Sequence, residues 1–473
     1  MKRFPRPFAF VAALSLTALS CNTPTRLEHP DWAPDVRQGI NDLVEAYGNS
    51  PERQYAVFDF DNTSTIFDVT ENMMYYQILT MSFATEPERL REVLSTGVPL
   101  DEGSYAAFAA DVGTAYRQLY DRFGPFTSKG LDDEAMEQVR TDPYWNEFGS
   151  KICNFYSYIY HNASPTVAYN WTKYWCCDMT EDEAYELAVR SHRHCSSIPT
   201  SAGRWCGDGV TSALGPMTYE YILGFSIPEP VKELWKVLSS NAIDVWVCSA
   251  SGTVPVLAAI DMFGLKPWCS GVLSMTIGKN KEGRFDNYYD YDGRASLPCG
   301  TGWKTDSLAT GAQTCSQGKV TAIVNAIAPK YGGRGPIACF MDSMGDFNFC
   351  TEFQDTKLAV CFNRGDRKIT DGGSLIGETA IYERDVLGYD LRKANENGDI
   401  LYLLQGRDDN GMRRLRPSNA TITLGSADET LFAGQDNRDR FDRICRDSLT
   451  VREIINSFSA PSLVDYPGYK TIK

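Results

Sequence analysis

Short apolar runs, each closed by a polar residue, recur along the chain. Tyr55, Ala56, Val57 and Phe58 form the first, and Asp59 and Asp61 follow it. IDVWVC (243–248) leads to Ser249, PIACFM (336–341) to Asp342, and KLAVCF (357–362) to a turn-like NRG. Continuous apolar runs of this length, bounded by turn residues, predict strands covered on both faces, as in a parallel sheet. Between them the apolar period lengthens to that of a helix. PEPVKELWKVLSS (228–240), with Pro near its start, reads as one helix. SASGTVPVLAAIDMFG (249–264) turns from a strand into another, and GKVTAIVNAIAPKYG (318–332) is a third. Strands alternating with helices predict an α/β fold: a Rossmann-like core with a parallel sheet and helices on both faces.

That rhythm is interrupted once. From Asp68 a helical pattern begins with ENMMYYQILTMSF, and residues 68–225 stay helix-rich and loaded with Tyr, Trp and Cys, as in KICNFYSYIYHN and YNWTKYWCC. The expected organisation is a leader at 1–20, a linker and lead-in helix at 21–50, a core at 51–67 and 226–399, and an inserted helical cap at 68–225. A stretch at 267–316 reads as loop-rich, and residues 400–473 as a C-terminal extension packed on the core, to which no chemistry is assigned.

The leader changes the expected address. Lys2, Arg3 and Arg6 precede FAFVAALSLTALS, an apolar run too short to span a bilayer comfortably. It ends at Ala18-Leu19-Ser20-Cys21. Small residues at Ala18 and Ser20 suit an ordinary signal peptidase. The ending on Cys21 resembles a bacterial lipobox, with Ala18 where Leu is usual. The expectation is an exported protein, periplasmic or held at the cell envelope of a bacterium by lipid on Cys21, with no later transmembrane segment. Fourteen cysteines fit an oxidising compartment, and disulfides are expected in the cluster Cys153, Cys176, Cys177, Cys195 and Cys206 and around Cys299 and Cys315. Cys248, Cys339 and Cys361 lie in apolar runs and read as small core residues.

A formal net charge of -15 excludes a nucleic-acid backbone as the general partner, since that affinity rests on clustered Lys and Arg. It leaves room for a local basic pocket. In a parallel sheet Asp59, Asp61, Ser249, Asp342, Ser343 and Asp346 all fall at the carboxyl edge, where open α/β sheets bind ligands. Lys319 opens a helix beside them. Lys304 and Lys330 compete with it, but neither follows a small-residue turn such as QGK leading straight into a helix. Carboxylates crowded in this way do not all ionise unless a cation sits among them. Mg²⁺, a hard ion held by oxygen ligands and substrate phosphate, answers that requirement and implies an anionic substrate. Turn and cap roles explain any one of these residues alone, but not their convergence.

DFDNT, a strand ending in Ser, then Lys, then DSMGD, in this order, resembles the haloacid dehalogenase superfamily, and more narrowly its phosphoserine phosphatase-like and phosphorylcholine phosphatase-like branches, which carry a C1-type helical cap. The resemblance covers about 50–65 and 228–365. It implies a phosphomonoester hydrolase with Asp59 as nucleophile, Asp61 as general acid and base, and Thr63 supporting the loop. Ser249 and Lys319 would bind phosphate. Asp59, the Asp61 carbonyl, Asp342 and Asp346 would serve Mg²⁺. An acid at Asp61 favours oxygen leaving groups over halide. Substrate choice is expected in the cap, where Asp68 stands in place of the Glu that phosphoserine phosphatases direct at an ammonium. Glu71 is one helical step on, and Tyr and Trp nearby would suit a cationic head group. Phosphorylcholine, phosphoethanolamine and phosphoserine are the candidate small-molecule partners. A phosphotransferase, a phosphonate-cleaving relative and a catalytically silent phosphate-binding lipoprotein remain open. No cap lysine stands out for the Schiff base that phosphonate cleavage requires.

Overall fold

A computed structural model describes residues 25–100, 102–365, 372–432 and 434–458. The leader, Cys21 and the chain end from residue 459 lie outside the described residues. Helix α1 (Pro34–Tyr47) has proline at its first position and buries Val36, Ile40, Leu43 and Val44, a three-and-four spacing that seats one stripe on the core. Strand β1 (Gln54–Phe58) follows, its last four residues buried.

The chain then leaves the core. Helices α2 (Val69–Thr80), α3 (Pro87–Ser95), α4 (Tyr105–Phe123), α5 (Asp133–Thr141), α6 (Pro143–Asn162), α7 (Pro165–Lys173) and α8 (Glu181–Ser197) are succeeded by an antiparallel hairpin of β2 (Ser201–Gly207) and β3 (Met217–Leu223). The exit and return points pair with each other, Ile66 with Ser226.

Back in the core come α9 (Glu229–Ser240), β4 (Ile243–Gly252), α10 (Thr253–Met262) and β5 (Cys269–Met275). The region expected to be loop-rich instead forms two hairpins: β6 (Ile277–Lys279) with β7 (Phe285–Tyr289), and β8 (Arg294–Cys299) with β9 (Gly302–Ala309). Their exposed and half-buried positions are filled with Asp, Asn, Gly and Lys, which hides the strand pattern. Helix α11 (Gln317–Ala322), β10 (Ala338–Met341), α12 (Phe347–Thr351), β11 (Leu358–Phe362), α13 (Gly372–Tyr382), α14 (Leu391–Glu396) and β12 (Leu401–Gln405) complete the core. The core sheet thus runs past residue 399, because the apolar LYLLQ of β12 is its edge strand. Beyond it, β13 (Arg407–Asp408) belongs to a small separate sheet.

The main sheet has the order β12-β11-β10-β1-β4-β5-β8-β9, parallel from β12 to β5 and antiparallel through β8 and β9. Strand β1 is central, and successive side chains of a strand face opposite ways. Ala56 and Phe58 join a cluster with residues of α1 and α9, while Tyr55 and Val57 join another with residues of α11 and α13. Helices therefore cover both faces. Phe58 stacks on Phe340 across the β1–β10 pair with ring centroids 4.0 Å apart, and trimming it to Ala would cost about 3–5 kcal/mol. Register places Phe58 opposite Phe340 and Val247. The carboxyl edge of the sheet lies just beyond this row, at the point where connections run to opposite sides of β1.

Among the described residues the disulfides expected in the cap cluster are not formed. Cys153, Cys176, Cys177, Cys195, Cys206 and Cys299 carry free thiols. Cys153, Cys177 and Cys195 pack into the apolar cluster, and burial pushes their thiols up, Cys195 to about 12. They act as small hydrophobes. Among the described residues no helix is long and apolar enough to cross a membrane.

Candidate active site

The loop after β1 explains its polar composition. Asp59 extends the ladder by one bond, its N–H donating to the Phe340 carbonyl at 2.9 Å. The Ser64 and Thr65 N–H groups both fold back on the Phe60 carbonyl, at 2.9 and 3.0 Å. The Ser64 hydroxyl donates to the Asp59 carbonyl at 2.9 Å, and the Thr63 hydroxyl donates to Asp59 Oδ2 at 3.5 Å. Asn62 takes the left-handed conformation, φ 57°, which Asn tolerates better than most side chains. The hydroxyls thus satisfy a buried turn that points the Asp59 carboxylate out of the strand end.

Three distant acids meet there. One carboxylate oxygen each from Asp59, Asp342 and Asp346 lies within 4.8 Å of the others, and all three residues are buried. Lys319, only 2% exposed, bridges two of them, donating at 2.5 Å to Asp59 Oδ1 and at 2.5 Å to Asp346 Oδ1. Asp346 also accepts the backbone N–H groups of Asp342 and Ser343, at 3.3 and 3.4 Å. Arg364, largely exposed, pairs with Asp342 at 3.2 Å. One buried cation does not balance three buried acids. Burial first, then the neighbouring carboxylates, hold Asp59 well above the ordinary carboxylate range, and burial lifts Asp346 to about 6 while Lys319 opposes it. Such a set of hard oxygen donors with uncompensated negative charge fits a divalent cation such as Mg²⁺.

The Asp61 side chain is held apart from that cluster. Its Oδ1 accepts the Val69 N–H at 2.8 Å and its Oδ2 the Ser251 hydroxyl. Ser251 in turn accepts from the Thr70 hydroxyl at 2.8 Å. Burial, then the charge of Asp68, push the Asp61 carboxyl well up, and the Ser251 and Val69 bonds and Lys173 pull it back. A carboxyl that burial raises while two donors hold it in place is suited to passing a proton to and from a neighbouring group. Ser249 is fully buried, its hydroxyl oxygen accepting the Ser251 N–H at 3.0 Å and its carbonyl the Thr314 hydroxyl at 2.5 Å. Ser251 escaped the sequence reading, although period-two alternation along VCSAS places it on the same side as Ser249.

On the cap side, Asp68 is the N-cap of α2, accepting the Thr70 and Glu71 N–H groups at 2.7 and 2.8 Å. Burial, then Asp68, raise Glu71 to about 7, and Arg364 and Lys173 draw it down. Tyr75, Tyr156 and Tyr219 all feel the Glu71 charge. Lys173, at the end of α7, is buried and lowered to about 8 by that burial, which Asp68, Asp61 and Glu71 partly offset. The structure thus supplies a cap lysine beside the site, correcting the reading that none stands out. The signal was absent because WTKYWCC carries no motif.

The tail also reaches the site. Arg407, 2% exposed on β13, donates to the Asn62 carbonyl at 3.1 Å and to Asn62 Oδ1 at 3.2 Å, and is paired with Asp409 at 2.8 Å. Nothing in the local sequence pointed to it.

No family model matches the chain, and no curated protein matches it significantly. Its structure is similar to that of a conserved protein of unknown function from Anaerococcus prevotii DSM 20548, with TM-score 0.65 and 23% identity over 84% of this chain and 98% of that one. The two share a fold. A protein of unknown function from Bordetella pertussis Tohama I aligns at TM-score 0.30 and 11% identity, over 66% of this chain and 90% of that one. Cytosolic 5'-nucleotidase IIIB bound to cytidine aligns at TM-score 0.30 and 12% identity, over 70% and 78%. Likenesses at that level carry no weight for this chain.

Proposed function

We propose that the protein is a Mg²⁺-dependent phosphomonoester hydrolase of the haloacid dehalogenase type. The observation that carries this reading is the Asp59–Lys319–Asp346 bridge with Asp342 beside it, while Asp61 stands two residues from Asp59 in a separate hydrogen-bonded setting. Asp59, Asp342 and Asp346 would hold Mg²⁺, which supplies charge compensation for the phosphoryl oxygens.

In this reading an Asp59 oxygen forms a bond to phosphorus as the ester P–O bond breaks, and Asp61 gives its proton to the departing alkoxide. Asp61 then takes a proton from water, whose oxygen displaces the Asp59 carboxylate and releases phosphate. Lys319 and the Ser249 hydroxyl bind phosphate oxygens. Thr63 holds the Asp59 loop. A pure binding protein would need neither nucleophile nor acid, which disfavours the silent alternative.

Asp68, Glu71 and the tyrosines around them support a substrate with an ammonium or quaternary ammonium group, such as phosphorylcholine, phosphoethanolamine or phosphoserine. Lys173 favours a second reading: a buried lysine lowered to about 8 is a competent amine for a Schiff base with a phosphonoaldehyde. We place the protein at the bacterial envelope on the strength of its leader and Cys21.

The test is phosphate release from a panel of small phosphomonoesters with and without Mg²⁺, in wild type and Asp59→Asn. Expected is Mg²⁺-dependent release that the variant abolishes. Full activity in Asp59→Asn, or no release from any ester, overturns the hydrolase. Borohydride trapping of a phosphonoaldehyde on Lys173 decides the second reading.

A further inference from the structure

Helix α2 presents two different faces. Asp68, Glu71 and Tyr75 lie on one. Thr70, Met73, Met74 and Gln77, spaced by three and four, lie on the other. That second face lines an open-mouthed cleft of about 640 Å³, a volume that includes the solvent at its mouth. Its walls are Met73, Met74, Val254, Met275, Ile277 and Phe285, from both cap and core. Gln77, Thr172, Thr253 and Thr276 add uncharged polar atoms to the lining, and its charged groups sit at two places. At the outer rim the exposed Glu181 and Lys279 pair with each other. At the inner end are Thr70, Gly252 and Lys173.

The inner end adjoins the site. The Thr70 hydroxyl donates to Ser251, which donates to Asp61, and it accepts the Gly252 N–H at 3.4 Å. Lys173, lining the cleft, is within electrostatic reach of Asp61. A β-carbon placed on Gly252 would lie 3.3 Å from the Lys173 Cγ, so the lysine stem packs against the strand end that carries Ser249 and Ser251. The trough thus ends at Lys173 and Thr70, and Thr70 is linked through Ser251 to Asp61.

We propose that this cleft binds the apolar body of a second class of phosphoester, so that beside esters with a cationic head group the protein takes monoalkyl or monoaryl phosphates, whose phosphate end lies in the core and whose body lies along the methionine face of α2. The inference rests on the hydrolase reading for the position of the phosphate. Methionines suit such a trough, being apolar and able to refit to different chains.

The test titrates n-alkyl phosphonates, from ethyl to decyl, into the Mg²⁺-loaded protein by calorimetry. Expected is affinity rising about fourfold per methylene until the cleft is full, the ratio that ~0.8 kcal/mol per buried CH₂ gives. Val254→Trp, at a half-buried wall position, is expected to flatten the series and leave ethyl phosphonate unchanged. Ile277→Phe serves as a second, milder filling. Equal affinity along the series, a chain-length gain that both variants keep, or decyl phosphonate binding without displacing inorganic phosphate overturns the proposal. Hydrolysis of the same alkyl phosphates separates the two readings. Turnover without chain-length preference defeats only the cleft. A competitive, chain-length-dependent series with no turnover defeats only the hydrolase.

Discussion

Arg407 donates to both the backbone carbonyl and the side-chain oxygen of Asn62, 345 positions earlier in the chain. Asn62 is the left-handed residue next to Asp61, so the tail pins the turn that sets the spacing of Asp59 and Asp61. Arg407→Met is expected to lower kcat by about 100-fold, the cost of a misplacement near 1 Å, with KM changed far less. It also strands Asp409 as a buried charge, at about 3–5 kcal/mol of stability. The double variant Arg407→Met with Asp409→Leu separates the two effects: stability should return while kcat stays low. Steady-state kinetics and urea unfolding on both variants measure this. A double variant with full kcat would show that Arg407 serves stability alone.

Metal should act on stability as well as activity. The buried lysine bridges only two of the three clustered carboxylates, so an ion that binds only the folded state stabilises it, by about 2.7 kcal/mol at one hundred times its dissociation constant. Mg²⁺ is expected to raise the melting temperature of wild type and to do so far less for Asp342→Asn, while chelation abolishes phosphate release. An identical Mg²⁺ shift in the two proteins would place the ion elsewhere.

Strands β1, β4, β10 and β11 and their carboxyl edge were legible because each is a continuous apolar run closed by a polar residue. Asp59, Ser249 and Asp342 each follow such a run, and the parallel order brings them to one edge. Lys319 was found by its position opening a helix. Lys173 and Arg407 were not legible. One ends a cap helix and the other sits on a two-residue strand of a separate sheet, so only tertiary packing brings them to Asp61 and Asn62. The cysteines misled for a related reason. Spacing along the chain does not reveal that Cys153 and Cys195 lie on the buried faces of separate helices, packed as apolar side chains.

Glu71 should govern substrate charge. It faces Tyr75, Tyr156 and Tyr219 electrostatically and lies outside the metal cluster. Glu71→Gln is expected to lower kcat/KM for phosphoethanolamine about tenfold, the effect of one lost, partly buried charge interaction of ~1.4 kcal/mol. Glycerol phosphate, with no ammonium, should be turned over unchanged. Equal losses on both substrates would assign Glu71 to the fold of the cap.

Acid should loosen the joint between cap and core at one residue. His192 on α8 is fully buried, and its Nε2 lies 2.8 Å from the Pro255 carbonyl on α10, which fixes Nε2 as the protonated nitrogen. Nδ1 has no hydrogen-bond partner among the described residues, and the ring lies against Phe225 at 5.0 Å between centroids. Protonation would place a charge on Nδ1 in apolar surroundings. Burial accordingly lowers His192 to about 4, and only the bond to Pro255 opposes it. The unfolded chain, with an imidazole near 6.5, binds the proton first. Stability associated with this group is therefore complete above about pH 6.5, falls as pH drops, and is lost below about 4, with a ceiling of about 3 kcal/mol. His192→Gln keeps a donor for Pro255 and cannot titrate. It is expected to be somewhat less stable at neutral pH but to lose less on acidification, so the two stability curves converge between pH 6.5 and 4. Urea unfolding across that range measures the slopes, and parallel curves would show that the acid sensitivity lies elsewhere.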